Sequence, residues 1–312
     1  MTICSYDFQY EDEIITLWNK TLKFDPINRH IFRERVLFDK NFDKNLFLLI
    51  KLNNNIVGFL YGVCRKSPYG TRGTEEHRSF LVAMGIDPAH QKKGFGSQLI
   101  TEFERRVNSR PLITVGAYSP KYFFPGLDHR YQHAQGFFKK HGFTIGEQCV
   151  SMDKVLHNFE IPANILTLEE KARQQGYVFD KYCNDDLYDV IHFLENEFPG
   201  GWIENFMALI NDETATKRVF IVRFNNKVVG FVQRALDGND SHFGPFGVSS
   251  EHQGIGLGKI LFYKMLYDMY CSQYYYVWFA WADTNAKKFY DRVGMNIYRT
   301  FNVCYKQRET NT

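Results

Sequence analysis

Two runs of apolar residues, each broken by asparagines, mark the chain at corresponding places. Leu46-Phe47-Leu48-Leu49-Ile50 leads through Asn53-Asn54-Asn55 into Ile56-Val57-Gly58-Phe59, and Val219-Phe220-Ile221-Val222 leads through Asn225-Asn226-Lys227 into Val228-Val229-Gly230-Phe231. Each reads as a β-hairpin, because β-branched and aromatic residues suit a pleated strand and Asn tolerates the positive φ of a tight turn. Ahead of each hairpin the apolar spacing is that of an amphipathic helix, over 11–22 in the first case and over 185–198 in the second, where Asn184 is a suitable cap. After each hairpin comes another apolar strand, 80–86 or 243–248, then a glycine-rich loop. The loops are Gln91-Lys92-Lys93-Gly94-Phe95-Gly96 and Gln253-Gly254-Ile255-Gly256-Leu257-Gly258, followed by helical patterns over 97–107 and 259–270. A further helix in each half ends in Gly142-Phe143 or Gly294-Met295, before closing strands.

The same landmarks in the same order make this an internal repeat of mixed α/β character. The spacing between equivalent landmarks shortens by ten residues at two places, so the first half holds two extra stretches. One falls in 65–74, rich in Gly, Pro and Ser as a surface excursion is; the other falls around 119–128, where Pro and Gly interrupt Tyr122, Phe123 and Phe124. Those aromatics either cover a pocket or fill a gap in the local core. Between the halves, 167–176 reads as a short helix with a capping-box start and a glycine stop. We place the boundary near residue 158, giving domains 1–158 and 159–312.

Composition narrows the class. At 312 residues the length favours two domains, and 44% apolar with 23% charged residues is the balance of a chain that buries real cores, which excludes disorder and fibrous repeats. Lys plus Arg exceed Asp plus Glu by only three, too few for a nucleic-acid footprint. The six cysteines, at 4, 64, 149, 183, 271 and 304, form no C-x-x-C pair and have no histidine at ligand spacing, so we expect reduced thiols and no metal. The start of the chain lacks a basic segment followed by an apolar run, and no apolar stretch reaches about 18 residues. We therefore expect no membrane partner and a cytoplasmic address.

The glycine loops carry the candidate chemistry. Glycines let successive N–H groups turn into one concavity, and the following helix N-terminus adds partial positive charge, which together suit a pyrophosphate. One such loop alone is equally a tight strand-to-helix turn without a ligand. Here the loop, its strand and the later helix all recur. A Walker A loop needs Gly-Lys-Ser/Thr at its end, and neither loop supplies it. A dinucleotide fold starts from a βαβ unit, whereas here a hairpin precedes the loop.

The strand followed by Q-x-x-G-x-G and a helix, together with Ala286, Phe289, Tyr290, Gly294 and Met295 in the later helix, resembles the GNAT N-acetyltransferases over nearly the whole chain, twice. As a tandem pair the architecture resembles that of the mycothiol synthases. The resemblance implies two domains, each a mixed, mostly antiparallel sheet flanked by helices, and acetyl-CoA as the donor for acetyl transfer to a primary amine. It places the cofactor on Phe246, Gly247, Val248 and on Gln253, Gly254, Ile255, Gly256, Leu257, Gly258 and Lys259, with Asn285 nearby. In the first half the matching positions are Met84, Gly85, Ile86 and Gln91, Lys92, Lys93, Gly94, Phe95, Gly96, Ser97. Direct transfer requires a neutral amine, a polarised thioester carbonyl and a proton for the departing thiolate. Tyr290 occupies the place of the family's general acid, and a phenol is a sensible donor to a thiolate of similar basicity. The matching residue of the first half is Phe138, which has no proton to give, so the expectation is catalysis in the C-terminal half. For a general base, His242 is best suited by its ordinary pKa among His242, Asp240, Asp237 and Glu251. Where the family often has Asn, seven residues before the tyrosine, this chain has Asp283. Cys271 and Cys304 have no adjacent base and read as small apolar residues. The rival expectation is a non-catalytic pair that keeps acetyl-CoA binding as a sensor or scaffold. The acceptor is expected to be a small amine first and a peptide N-terminus or lysine second.

Overall fold

The computed structural model describes residues 1–198 and 200–309. The chain forms two compact units. The first contains Met1–Pro68, Gly73–Cys149 and the residues from Arg299 onward; the second contains Tyr69–Arg72 and Val150–Tyr298.

In the first unit the order is β1 (Thr2–Ser5), α1 (Glu11–Thr21), α2 (Arg29–Phe32), β2 (Phe47–Leu52), β3 (Asn55–Val63), β4 (Arg78–Ile86), α3 (Phe95–Arg106), β5 (Leu112–Val115), β6 (Leu127–Asp128), α4 (Ala134–Lys140) and the start of β7 (Thr144–Val155). The hairpin of β2 and β3 turns through Asn53 and Asn54 at φ +48° and +67°, the conformation expected of this turn. β1 to β4 pair antiparallel in sequence, and β4 pairs parallel with β5. Beside β5 lies the last strand of the chain, β13 (Asn296–Gln307), which pairs antiparallel with β5 and β6 through Cys304↔Val115 and Phe301↔Asp128. Alternation along the strands sends side chains to both faces. Phe47 and Leu49 pack with Ile14, Leu17 and Trp18 of α1, whereas Leu48 and Ile50 pack with Leu99, Ile100 and Phe103 of α3.

The second unit runs from the remainder of β7 through α5 (Ala163–Gln174), β8 (Tyr177–Lys181), α6 (Leu187–Glu197), α7 (Trp202–Asn211), α8 (Ala215–Arg218), β9 (Val219–Phe224), β10 (Lys227–Arg234), β11 (Phe243–Val248), α9 (Leu257–Cys271), β12 (Tyr276–Ala282) and α10 (Thr284–Arg292). Its four-stranded sheet has the order β11-β10-β9-β8, all antiparallel, and β12 pairs with β7 through Tyr276↔Val155. Ile260, Leu261, Met265, Leu266 and Met269 of α9 are fully buried in its core.

Several boundaries differ from those read along the sequence. The glycines at 94 and 256 are themselves the N-caps, so α3 and α9 begin directly after them, two residues sooner than the apolar spacing suggests. The linker helix α5 begins at Ala163, with Pro162 as its N-cap. Thr167 is therefore inside the helix, its hydroxyl donating to the Ala163 carbonyl at 3.1 Å, and is not the cap. Gly176 ends it at φ +96°, as expected.

Candidate active site

Parallel pairing of β4 with β5 extends only from Arg78↔Leu112 to Leu81↔Val115. The chain then turns away at Gly116 and Ala117, both at positive φ, and the rest of β4 borders an open cleft. The cleft is a cavity of about 600 Å³, inside the span of roughly 300 to 1,000 Å³ usual for ligand sites. It is lined by Leu81–Ile86, by the glycine loop, by Thr21 at the end of α1 with Leu22 and Asp25 after it, by Phe124–Asp128 in part, and by Tyr131 and α4.

Of the residues expected from the sequence, Met84, Gly85, Ile86, Gln91, Lys92, Gly94, Phe95, Gly96 and Ser97 all line this cavity. Lys93 does not; its ammonium donates to the Ala89 carbonyl at 3.2 Å. The Gln91 side chain donates to the Ile86 carbonyl at 3.1 Å, stapling the loop to the end of β4, and Gln253 does the same to Val248 at 3.2 Å. The glutamine of the motif thus shapes the loop. Gly94 caps α3 at φ +82° with no side-chain cap, and a Cβ there would meet nothing within 4 Å. The first N–H groups of α3 are consequently left for an anion beside Lys92. At the far end of the loop Ser97 Oγ lies 3.0 Å from His141 Nε2, and burial lowers the His141 pKa. These groups fit a pyrophosphate.

In the second unit the helix-capping glycine is covered by another element. Gly256 also caps α9 at φ +96°, yet a Cβ there would sit 2.6 Å from a Leu168 methyl group of α5. A Cβ on Gly247 would run into the Phe198 ring, which stacks on Trp202 at 4.2 Å and 5°. Phe246, where the first unit has Met84, packs on Phe289 at 5.4 Å. Gln253, Gly254 and Lys259 are exposed, Leu257 is buried, and Ile255 and Val248 pack against the core. Asn285 is exposed; its N–H donates to Asp283, whose carboxylate caps α10, and this explains an aspartate at 283.

Tyr290 is half-buried in a ring cluster with Phe279 at 4.3 Å and Phe243 at 6.3 Å, and burial pushes its phenol above the ordinary range. His242 lies on the opposite face. It stacks on Trp278 at 4.0 Å with Nδ1 3.0 Å from Asp237, while its neighbour Phe243 points into the Tyr290 cluster. The structure therefore does not bring Tyr290 and His242 together. Asp240 is held by Arg218 and Arg234, and Glu251 is exposed. Cys304 is buried, which raises its thiol to about 12, and Cys271 is exposed.

Sequence reasoning missed Asp25, Tyr131 and His141, which line the first cavity. Tyr131 stands seven residues before Phe138, a spacing that marks it; nothing in the sequence ties Asp25 to Arg299, its partner 274 residues away. The extra stretch around 119–128 has both of the roles left open: Phe123 packs on Trp18 at 5.2 Å, and Phe124 lines the cavity.

An acetyltransferase (GNAT) domain profile matches residues 43–145, and the acetyltransferase (GNAT) family profile matches residues 187–295. The chain belongs to the GNAT acetyltransferases. It carries two GNAT domains in tandem, as their motifs imply, on mixed and antiparallel sheets flanked by helices. An acetyltransferase of Yersinia pestis is 31% identical over 106 residues, 33% of this chain and 66% of that protein, so the matched part of this GNAT chain spans just under two thirds of that relative. In fold, this GNAT pair is similar to the GCN5-related glucosamine N-acetyltransferase region of a fungal multi-domain protein, with TM-score 0.78 and 18% identity over 97% of this chain and 38% of that one. It is also similar to a tandem GNAT protein from the clavulanic acid biosynthesis pathway, with TM-score 0.63 and 12% identity over 100% and 99%. Among the described residues no helix is long and apolar enough to cross a membrane.

Proposed function

We propose that this chain transfers an acetyl group from acetyl-CoA to a primary amine, and that the donor binds in the first unit. The observation that carries this reading is the contrast between the two helix-capping glycines: Gly94 opens on the cavity beside β4, whereas Gly256 is covered by Leu168. Tyr290 alone favours the second half; the covered helix cap of its loop outweighs it. In this reading the α3 N-terminus and Lys92 hold the pyrophosphate, and the strand segment Met84-Gly85-Ile86 takes the thioester end. Acetyl-CoA supplies the activated acetyl group. The acceptor is a small amine or, second, a peptide N-terminus or lysine. A sensor that binds acetyl-CoA without turnover is the other reading, favoured by Phe138 at the place of the proton donor.

Calorimetric titration of acetyl-CoA separates these. Wild type should bind, Lys92→Glu and Gly94→Glu should abolish binding, and Gly254→Glu in the second loop should leave it intact. Loss of binding in Gly254→Glu alone returns the donor to the second half, and a wild type that does not bind overturns the reading. Thiol release with ethanolamine, glucosamine, tyramine and a short peptide with a free N-terminus then tells enzyme from sensor. Tyr290→Phe should leave that turnover unchanged.

A further inference from the structure

Where α10 carries Tyr290, the first cavity is lined by Phe138, which has no proton to give. One tyrosine nevertheless lines it. Tyr131 shares the cavity wall with Ala134 and Phe138; its hydroxyl donates to Asp25 Oδ2 at 2.8 Å and accepts from the Phe24 N–H at 3.2 Å. Asp25 lines the same cavity. Its two oxygens are held by Arg299 of β13, Nη1 at 2.7 Å and Nη2 at 3.1 Å, while Arg299 Nε donates to Asp128 Oδ2 at 2.8 Å and Arg130 Nη2 pairs with the same oxygen at 2.7 Å. Two carboxylates and two guanidiniums leave the cluster neutral, and Asp25 Oδ2 takes Arg299 and the phenol together. Burial first, and the Asp25 charge second, push the Tyr131 phenol above its ordinary pKa, so it stays protonated near neutral pH.

We propose that Asp25 and Tyr131 form the proton relay of the first unit's site, with Arg299 as the positioning residue. The proposal rests on the donor binding in that unit. The amine nitrogen attacks the thioester carbon, a C–N bond forms, and the C–S bond breaks with its electron pair on sulfur. The surplus proton on nitrogen goes to the Asp25 carboxylate, and the Tyr131 O–H proton goes to sulfur. The proton on Asp25 then crosses the hydrogen bond to the phenolate. An amide and a free thiol leave, and both side chains are as they began.

The test uses the full chain, acetyl-CoA and whichever amine of the panel wild type acetylates fastest. Tyr131→Phe should lower kcat on the order of 100-fold, the low end for a lost general acid, with the acetyl-CoA Kd within about twofold of wild type. Asp25→Asn, which keeps the size of the side chain and an oxygen for Arg299, should act in the same direction. A kcat of Tyr131→Phe within about twofold of wild type overturns the relay, as does a loss of kcat matched by an equal loss of acetyl-CoA affinity, which marks the phenol as a mere wall. A wild type that binds acetyl-CoA but acetylates no amine overturns it too. A wild type that fails to bind acetyl-CoA sinks instead the donor-site reading beneath it.

Discussion

Asp128 shows how much one side chain holds together at the cavity. It is 3% exposed, and burial alone would raise its pKa; hydrogen bonds from Arg130 and Arg299 overcome that and hold it below the usual range. A carboxylate whose folded pKa is depressed contributes stability that is fully present above the unfolded value of about 3.9 and is lost as pH falls through the folded value. Asp128→Asn should therefore cost about 1–3 kcal/mol at pH 7, by leaving guanidinium donors short of a charged partner. The gap to wild type should begin to narrow as pH falls below about 3.9, where the unfolded chain takes up the proton, and close only below the depressed folded value, where folded wild type is protonated as well. Thermal melts across pH 2 to 7 check this, and a gap that stays constant over that range contradicts it. At the same scale, Met84 lines the first cavity where Phe246 of the second unit packs on Phe289.

At the level of elements, α3 and α9 are the same device in two settings. Each starts at a left-handed glycine without a side-chain cap. Gly94→Ala meets only the backbone penalty of that conformation, about 1–2 kcal/mol, because the space around it is open. Gly256→Ala meets the same penalty and must also displace Leu168, so its denaturant midpoint should fall further than that of Gly94→Ala. Equal midpoints would show that α5 yields freely. The contrast also explains what the sequence makes legible. The paired hairpins, glycine loops and helix order can be read because Asn53-Asn54 and Asn225-Asn226 act within a few residues of themselves, as do Gly94 and Gly256. Which helix cap is open cannot, because the answer comes from Leu168, a side chain on another element whose arrival no local pattern announces. The Asp25–Arg299 pair is hidden for the same reason, and so is the place of β13 beside β5.

For the molecule as a whole, the first unit is discontinuous: it takes its strand beside β5, and the arginine that holds Asp25, from the far end of the chain. A chain stopped after Tyr298 should lose hydrogen-exchange protection in β5 and lose acetyl-CoA binding, while β9 and β10 in the second unit keep their protection. Retained protection in β5 would mean that the sheet closes without its last strand. The arrangement also sets a schedule for synthesis. About 150 residues separate Cys149 from Arg299, so at ribosomal rates the first unit waits roughly 8 to 30 s, with the β5 edge unpaired, before its final strand leaves the exit tunnel. The half translated first is completed last, and during that interval the nascent chain depends on whatever shields an open strand edge from its neighbours on the polysome.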